Sequence, residues 1–297
     1  MKKVLYFMLL SILFVGSIFA TDTGYDQVKV NDSWKDKVKV KLIDNKDATY
    51  SYVNRDYNSL VALGNFSNKS VLNAYGKLTT TGAVTNHIIW EDGDLYIPTA
   101  NTQPSIVSTS ANDTVGGTGM NSVHVHYLDG NFTDADEVVD LNGTNPVQMI
   151  ATDVRFIQCM HLEQVGSLKS AAGDISAYDT NGTLSYIKTG AVRCSSASRM
   201  VPAGKTLLVK FIVASSTSAT ADTTTNVSIG STYFEGHSYK TENIIIPQAN
   251  LGYQNNSFGA ELGIPFIVPE KEVFSATTTS NKAGTISLTW MGILEDN

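Results

Sequence analysis

Apolar and polar residues alternate over short segments through the middle of the chain, and turn residues separate these segments. The clearest segment is 123–128, where every second residue is apolar, and it ends at the turn dipeptide Asp129-Gly130. A period of two places successive side chains on opposite faces of a strand. Further strand segments follow at 137–141, 147–150 and 154–165. This spacing predicts an antiparallel meander of short strands.

The second half of the chain continues the pattern. Residues 206–214 form a nearly continuous apolar run, which predicts a central strand buried on both faces. A hairpin turn is predicted at 179–183, and residues 215–225, rich in Ser, Thr and Ala, predict an exposed loop. The remaining predicted strands are 233–235, 243–246, 264–268 and 285–294. The predicted fold class is all-β, an antiparallel β-sandwich or jelly-roll-like domain with an additional C-terminal β portion packed on it.

The first twenty residues have the pattern of a secretory signal peptide. Lys2 and Lys3 precede an apolar run over 4–19, and Ala20 offers a cleavage site before polar residues. The run is shorter than a membrane span, so cleavage is favoured over an uncleaved anchor. The predicted organisation is a signal peptide or hydrophobic segment at 1–20, an N-terminal arm or small leading domain at 21–60, a β-sandwich domain at 61–214 and the C-terminal β portion at 215–297.

Charge and composition narrow the function classes. The formal net charge is −7, charged residues make up 16% of the chain, and no Lys/Arg cluster occurs after residue 41. Nucleic-acid binding requires a basic surface, so we expect no nucleic-acid partner. The two cysteines, Cys159 and Cys194, could pair in an oxidising compartment, but two buried thiols on neighbouring strands are slightly favoured.

Two histidines share one predicted strand face. His124 and His126 are two residues apart, a spacing that could supply two ligands to zinc or copper. The sequence shows no third ligand nearby, although Asp134, Asp136 and Glu137 lie across the following turn. We therefore favour a pair of partly exposed strand histidines and predict no metal site.

The acidic turns receive a similar interpretation. Asp129, Asn131, Asp134, Asp136 and Glu137 crowd one loop, as could suit Ca²⁺, but their spacing does not match an EF-hand. A solvated hairpin tip is favoured there. The acidic turn at 91–94 is interpreted in the same way.

No motif points to catalysis. The chain lacks a Gly-x-Ser-x-Gly elbow, and the Gly-Gly-Thr-Gly run at 116–119 precedes a strand rather than a helix. Its simpler role is a flexible lead-in where backbones pack closely. We predict no catalytic residue, no cofactor and no enzymatic activity, although two carboxylates of a secreted hydrolase could meet in the fold.

Several turn motifs occur in a fixed order along the chain. They are Trp-Glu-Asp-Gly-Asp-Leu-Tyr at 90–96, Pro-Ser-Ile-Val-Ser-Thr-Ser-Ala-Asn-Asp-Thr at 104–114, Gly-Gly-Thr-Gly at 116–119, Leu-Asp-Gly at 128–130, Leu-Asn-Gly-Thr at 141–144, Gly-Ser at 166–167, Ala-Gly-Asp-Ile at 172–175, Val-Pro-Ala-Gly-Lys-Thr at 201–206 and Val-Pro-Glu-Lys at 268–271. In this order they resemble a family of mostly uncharacterised virion structural proteins of tailed phages, especially marine ones, over about residues 63–297. The resemblance implies an oligomeric all-β virion component without catalysis. The signal peptide departs from the family.

The expected function is therefore structural, as a surface or capsid-decoration protein of a virus particle. We expect it on the virion surface, in contact with other virion proteins and further copies of itself. The candidate contact loops are 110–122, 129–136 and 215–225. The alternative is a secreted carbohydrate-binding or adhesin-like module that stacks a host-surface glycan on exposed aromatics. The candidate aromatics are Trp90, Tyr96, Tyr178 and Tyr186.

Overall fold

The computed structural model describes residues 61–62, 64, 66–92, 95–218, 223–232, 244–245 and 256–297. These ranges are nearly all β, and every strand pairing is antiparallel. The strands are β1 (Lys69–Thr80), β2 (Val84–Ile88), β3 (Ser105–Ser108), β4 (Met120–Leu128), β5 (Asp134–Asp140), β6 (Val147–Gln148), β7 (Phe156–Val165), β8 (Ile175–Tyr178), β9 (Thr183–Ile187), β10 (Arg199–Met200), β11 (Lys205–Thr217), β12 (Thr225–Thr232), β13 (Ile244–Ile245), β14 (Asn256–Val268), β15 (Val273–Ser280) and β16 (Gly284–Asp296).

Two sheets from the two ends of the described chain form a first sandwich. One has the strand order β1-β16-β11-β14, and the other has the order β10-β15-β12-β13 with β2 also paired to β15. Side chains of both sheets share one hydrophobic core, in which the rings of Phe274 and Trp290 meet at 4.8 Å between centroids. The Trp290 indole N–H donates to the backbone oxygen of Ala197 at 2.7 Å.

A second sandwich is inserted into the chain between β2 and β10. Its sheets have the orders β6-β3-β8-β9 and β5-β4-β7, and their inner faces share a second hydrophobic core. A smaller cluster, including Leu128, Phe156, Met200 and Val273, combines residues of strands from both sandwiches. The all-β, antiparallel sandwich class predicted from the pattern is therefore confirmed.

The buried carboxylate of Asp113 organises the loops at one end of the second sandwich. It accepts hydrogen bonds from the Ser108 hydroxyl at 2.6 Å and from the backbone N–H groups of Met120, Ala172 and Gly173 at 2.7, 2.9 and 2.8 Å. These donors come from β3, from the start of β4 and from the loop before β8. One side chain thus ties three segments together, as buried carboxylates must be hydrogen-bonded.

Gly119 fits this arrangement because a side chain there would be obstructed. An added Cβ would lie 2.7 Å from the Ala172 Cβ and would also collide with the Asp113 carboxylate. The glycine-rich run at 116–119 thus allows close packing, as the sequence predicted.

The four strands predicted in the second sandwich match β4 to β7, with β5 beginning earlier and β6 ending earlier than expected. The hairpin turn predicted at 179–183 joins β8 to β9. The prediction for 206–214 is wrong in one respect. β11 is central, between β16 and β14, but it alternates buried and partly exposed residues, so only one of its faces is buried. The partly exposed face of β11, which carries Phe211, points away from the first core.

The C-terminal predictions need two further changes. β11 extends to Thr217 and β12 begins at Thr225, so the predicted loop at 215–225 is shorter, and residues 219–222 lie outside the described ranges. The predicted division between residues 214 and 215 falls inside β11, so the described strands do not divide there. The predicted signal peptide, the predicted arm at 21–60 and the predicted strand at 233–235 lie outside the described residues.

Asp113→Ala is expected to lower the free energy of unfolding by about 3 kcal/mol or more, because each buried donor left unpaired costs about 1–3 kcal/mol. Asp113→Asn should recover part of this loss, since its amide keeps one acceptor oxygen. Chemical denaturation measures both changes. Asp140→Ala, at an exposed carboxylate of β5, is the control, with an expected change within about 0.5 kcal/mol. Equal effects of Asp113→Ala and Asp140→Ala would contradict the organising role of Asp113.

Candidate metal centre

The pleat of β4 turns its histidines away from the second core. Val123, Val125 and Tyr127 are buried in that core, whereas His124 is half-buried and His126 is exposed on the opposite face. The sequence predicted this shared face, and the structure confirms it. Because a strand alternates strictly, the same pattern that supplies the core also places the two imidazoles side by side. Their ring centroids are 4.4 Å apart.

A third histidine joins them from the neighbouring strand. His161 of β7 lies directly opposite His124 in the antiparallel register. Its ring centroid is 5.0 Å from that of His124 and 5.0 Å from that of His126. One ligand nitrogen from each of the three imidazoles lies within 4.8 Å of the other two. We call His124, His126 and His161 the histidine cluster.

Two carboxylates flank the ring of His124 on either side. The Nε2 atom of His124 is 3.0 Å from an oxygen of Asp136, and its Nδ1 atom is 3.5 Å from an oxygen of Glu163. Asp136 is on β5 and Glu163 is on β7, two residues after His161. The cluster is therefore positioned by all three strands of one sheet, and both nitrogens of His124 have an anionic neighbour.

Burial and neighbouring charge disfavour protonation of two members of the cluster. Desolvation lowers the pKa of His126, and the positive charges that His124 and His161 can carry lower it further, against the opposing effect of Asp136 and Asp134. Desolvation also lowers the pKa of His161, with His124 and Arg193 acting in the same direction and Glu163 against it. The neutral imidazole is the form that binds metals.

The acidic residues of the turn between β4 and β5 accept separate sets of hydrogen bonds in the structure. Asp129 accepts the backbone N–H groups of Asn131 and Thr133 at 2.8 and 2.9 Å, which closes its own turn. Glu137 accepts those of Ile150 and Ala151 at 2.7 and 3.0 Å. Within the described ranges, the only group of three or more potential metal ligands is the histidine cluster.

A disulfide lies beside the cluster. Cys159 of β7 is opposite His126 in the register, and it is bonded to Cys194, with 5.7 Å between the Cα atoms. The expectation of two free thiols is therefore wrong. The segment around Cys194 runs along the edge of β7, where backbone hydrogen bonds join Cys194 to Met160 and Leu162 to Val192. The disulfide fastens this segment to the strand that carries His161.

Two of the four aromatics that the carbohydrate-binding alternative required are buried. Trp90 and Tyr186 are only 1% and 7% exposed, so they cannot stack on a sugar ring. Tyr96 packs partly buried against the second core, and Tyr178 is half-buried on β8. At the acidic turn of 91–94, Glu91 faces Lys77 at 3.6 Å, and residues 93 and 94 lie outside the described ranges.

Comparison with known proteins finds few similarities. No protein-family model and no curated protein matches the chain. Among solved structures, T=1 particles derived from infectious bursal virus match at 8% identity, covering 77% of this chain and 74% of that chain with a TM-score of 0.22. The VP2 subviral particle of infectious bursal disease virus matches at 9% identity over 77% of each chain, with a TM-score of 0.20.

These matches come from particles of one virus, which is not a tailed phage. Superpositions with such low TM-scores assign neither a fold nor a function to this chain. In the described ranges, no helix has the length and apolar character required to cross a membrane.

Removing the disulfide should destabilise the protein. With a sequence separation of 35 between the cysteines, Cys159→Ala/Cys194→Ala should lose about 3–4 kcal/mol of unfolding free energy, chiefly because the unfolded chain gains freedom. Urea denaturation of the double variant and of the wild type, with and without reductant, measures this loss. The unfolding free energies of the double variant and the wild type should become similar only when reductant is present. Equal stability without reductant would contradict the bond.

Stability should fall in mild acid because of the cluster. The folded pKa values of His126 and His161 lie below that of an unfolded histidine, about 6.5, so the unfolded chain binds more protons there. This contribution is complete above about pH 6.5 and declines as the pH falls towards the folded values. Urea midpoints with EDTA at several pH values should show a smaller decline for His126→Asn/His161→Asn. His87→Asn, on another sheet, should behave as the wild type, and identical profiles for all three would contradict this.

Proposed function

We propose that this protein is a non-enzymatic structural component of a virus particle, at its surface or as a capsid decoration. It assembles through β contacts with copies of itself and with other virion proteins. The observation that supports this most directly is the apolar outer face of the sheet β1-β16-β11-β14. Four large apolar side chains on that face are exposed, namely Tyr75 at 43%, Phe211 at 37%, Ile267 at 58% and Met291 at 38%.

The register brings these side chains together. Phe211 of β11 is directly opposite Met291 of β16, and Met291 is in turn opposite Asn73 of β1, two residues from Tyr75. Ile267 of β14 is opposite Leu208 of β11. Directly opposite residues of an antiparallel pair have Cβ atoms about 5 Å apart. Phe211 and Met291 therefore form an apolar pair in the middle of the sheet, and Tyr75 and Ile267 lie on the same face of the two flanking strands. We call this face, with its four exposed apolar side chains, the outer apolar face.

Such a surface favours association over solvation. Scattered apolar residues are common on soluble proteins, whereas a contiguous apolar patch marks an interaction site. Fully burying one side chain of this size contributes about 1.5–3 kcal/mol, so a partner covering four of them gains enough to offset part of the entropy lost on association. The flat face of an antiparallel sheet suits another sheet at about 10 Å.

β1 adds a backbone element to this surface. It is paired with β16 over its whole length and, among the described residues, has no strand on its other side. A twelve-residue edge strand offers unpaired N–H and C=O groups to a neighbouring chain. Residues 21–60, which precede it in the sequence, are the segment expected to act as an arm. Pairing along β1 supports assembly through β contacts.

The disulfide supports a location outside the reducing cytoplasm. Stable disulfides form in oxidising compartments. The virion surface and the extracellular medium both fit this chemistry. For the carbohydrate-binding alternative, the burial of Trp90 and Tyr186 removes two of the four aromatics that it required.

The proposal is tested by peptide mass spectrometry on density-banded particles from the native culture, compared with the particle-free medium. Enrichment of this chain in the particle band is the expected result. The first peptide detected should begin after residue 20. Peptides found only in the medium or the cell envelope would contradict the virion role.

Charges placed on the outer apolar face should block assembly without unfolding the protein. Phe211→Lys/Met291→Lys should reduce incorporation into particles, or self-association in multi-angle light scattering, by about tenfold or more, since 1.4 kcal/mol already corresponds to a factor of ten. The control is Ile150→Lys/Leu168→Lys, which changes two exposed apolar residues in loops of the second sandwich. Equal incorporation of both double variants would exclude this face as the assembly surface.

A further inference from the structure

We propose that His124, His126 and His161 bind one divalent transition-metal ion, Zn²⁺ being the probe that fits them best, on the outer face of β4 and β7. This site lies on the second sandwich, whereas the outer apolar face lies on the first. The inference is therefore independent of the proposed virion role.

The backbone already brings the three ligands together. His124 and His126 share a face because they are two residues apart on β4, and His161 is opposite His124 on β7. Zinc takes imidazole nitrogens at about 2.0–2.1 Å, which places the nitrogens of a tetrahedral site roughly 3.3 Å apart. The ligand nitrogens here lie within 4.8 Å of one another. Side-chain rotations that move each nitrogen by about 1 Å would close the set without any change of the strands.

The carboxylates next to His124 complete the site. Asp136 is 3.0 Å from Nε2 of His124, close to the ligand–ligand separation of roughly 3.3 Å in a tetrahedral zinc site, so it can supply the fourth ligand. Glu163 is 3.5 Å from Nδ1 of the same ring. With Nε2 on the metal, the Nδ1–H group faces Glu163. A carboxylate that accepts this proton orients the ring and raises its basicity, an arrangement typical of metal-bound histidines.

The ligand chemistry determines which class of metal fits. Three imidazoles suit zinc, copper and nickel, whereas Ca²⁺ and Mg²⁺ require sites made mainly of oxygen atoms. The buried valines beneath β4 and the disulfide beside β7 hold the strands that carry the ligands. Sites on rigid strands keep their geometry better than sites on loops. The cluster is partly exposed, so an ion can enter from solvent.

The test is calorimetric titration of ZnCl₂ into the purified full chain with its disulfide intact and prior chelator removed by dialysis. One Zn²⁺ per chain is expected. His126→Asn and His161→Asn should each weaken binding by about tenfold or more, and Glu163→Gln should weaken it by about 10–100-fold through loss of ring orientation. Circular dichroism confirms that each variant is folded. His87→Asn, a histidine on another sheet, is the matched control and should bind Zn²⁺ as the wild type does.

Substitution with Co²⁺ provides a second measurement. A tetrahedral site of nitrogen and oxygen ligands gives cobalt visible absorption bands, which His161→Asn should abolish while the wild type retains them in millimolar Ca²⁺ or Mg²⁺. The proposal is overturned if the wild type binds no stoichiometric Zn²⁺. It is equally overturned if folded His126→Asn and His161→Asn proteins keep the wild-type affinity. Particle incorporation is measured in a separate experiment. The result for Zn²⁺ binding therefore neither supports nor contradicts the proposed virion role.

Discussion

The pairing of β4 with β7 is the contact on which both the second core and the histidine cluster depend. The inner faces of these strands supply Val123, Val125 and Met160 to the core, and their outer faces supply the imidazoles. Since successive side chains alternate, a slip of one residue in either strand would expose its apolar residues and bury its histidines. Burial of the core therefore fixes the register and, with it, the position of His161 opposite His124.

Local pattern was sufficient to predict the individual strands but not their partners. The period of two along β4 and the Asp129-Gly130 turn determine one hairpin and the shared face of His124 and His126. His161 could not be assigned to that face, because the β4–β7 register shifts at irregularities such as that between His126 and Tyr127, and one shift reverses the face. The same uncertainty left open whether Cys159 pairs with Cys194. The sequence nevertheless contained part of the information needed to find the histidine cluster. Both strands that carry it were predicted, and only their alignment was unknown.

The insertion of the second sandwich into the sequence of the first could not be predicted from local sequence pattern either. A run of apolar residues at 206–214 looks the same whether its second face is covered by its own chain or left for a partner. β11 is central in its sheet, yet Phe211 is exposed beside Met291. Apolar side chains that remain exposed after folding are then available to bind a partner. The two sandwiches therefore present different chemistry outward, with apolar side chains on the first and imidazoles on the second.

The pairing of β1 with β16 has a consequence for the order of folding. Lys69 and Glu295, which meet at 2.8 Å, are 226 residues apart in sequence, so the first sandwich closes only after nearly the whole described chain has been synthesised. The strands of the second sandwich, from Ser105 to Ile187, are contiguous and close over shorter loops. Contacts between distant residues form more slowly than local ones. We therefore expect the inserted sandwich to fold first, and the sandwich that encloses it in sequence to be completed last.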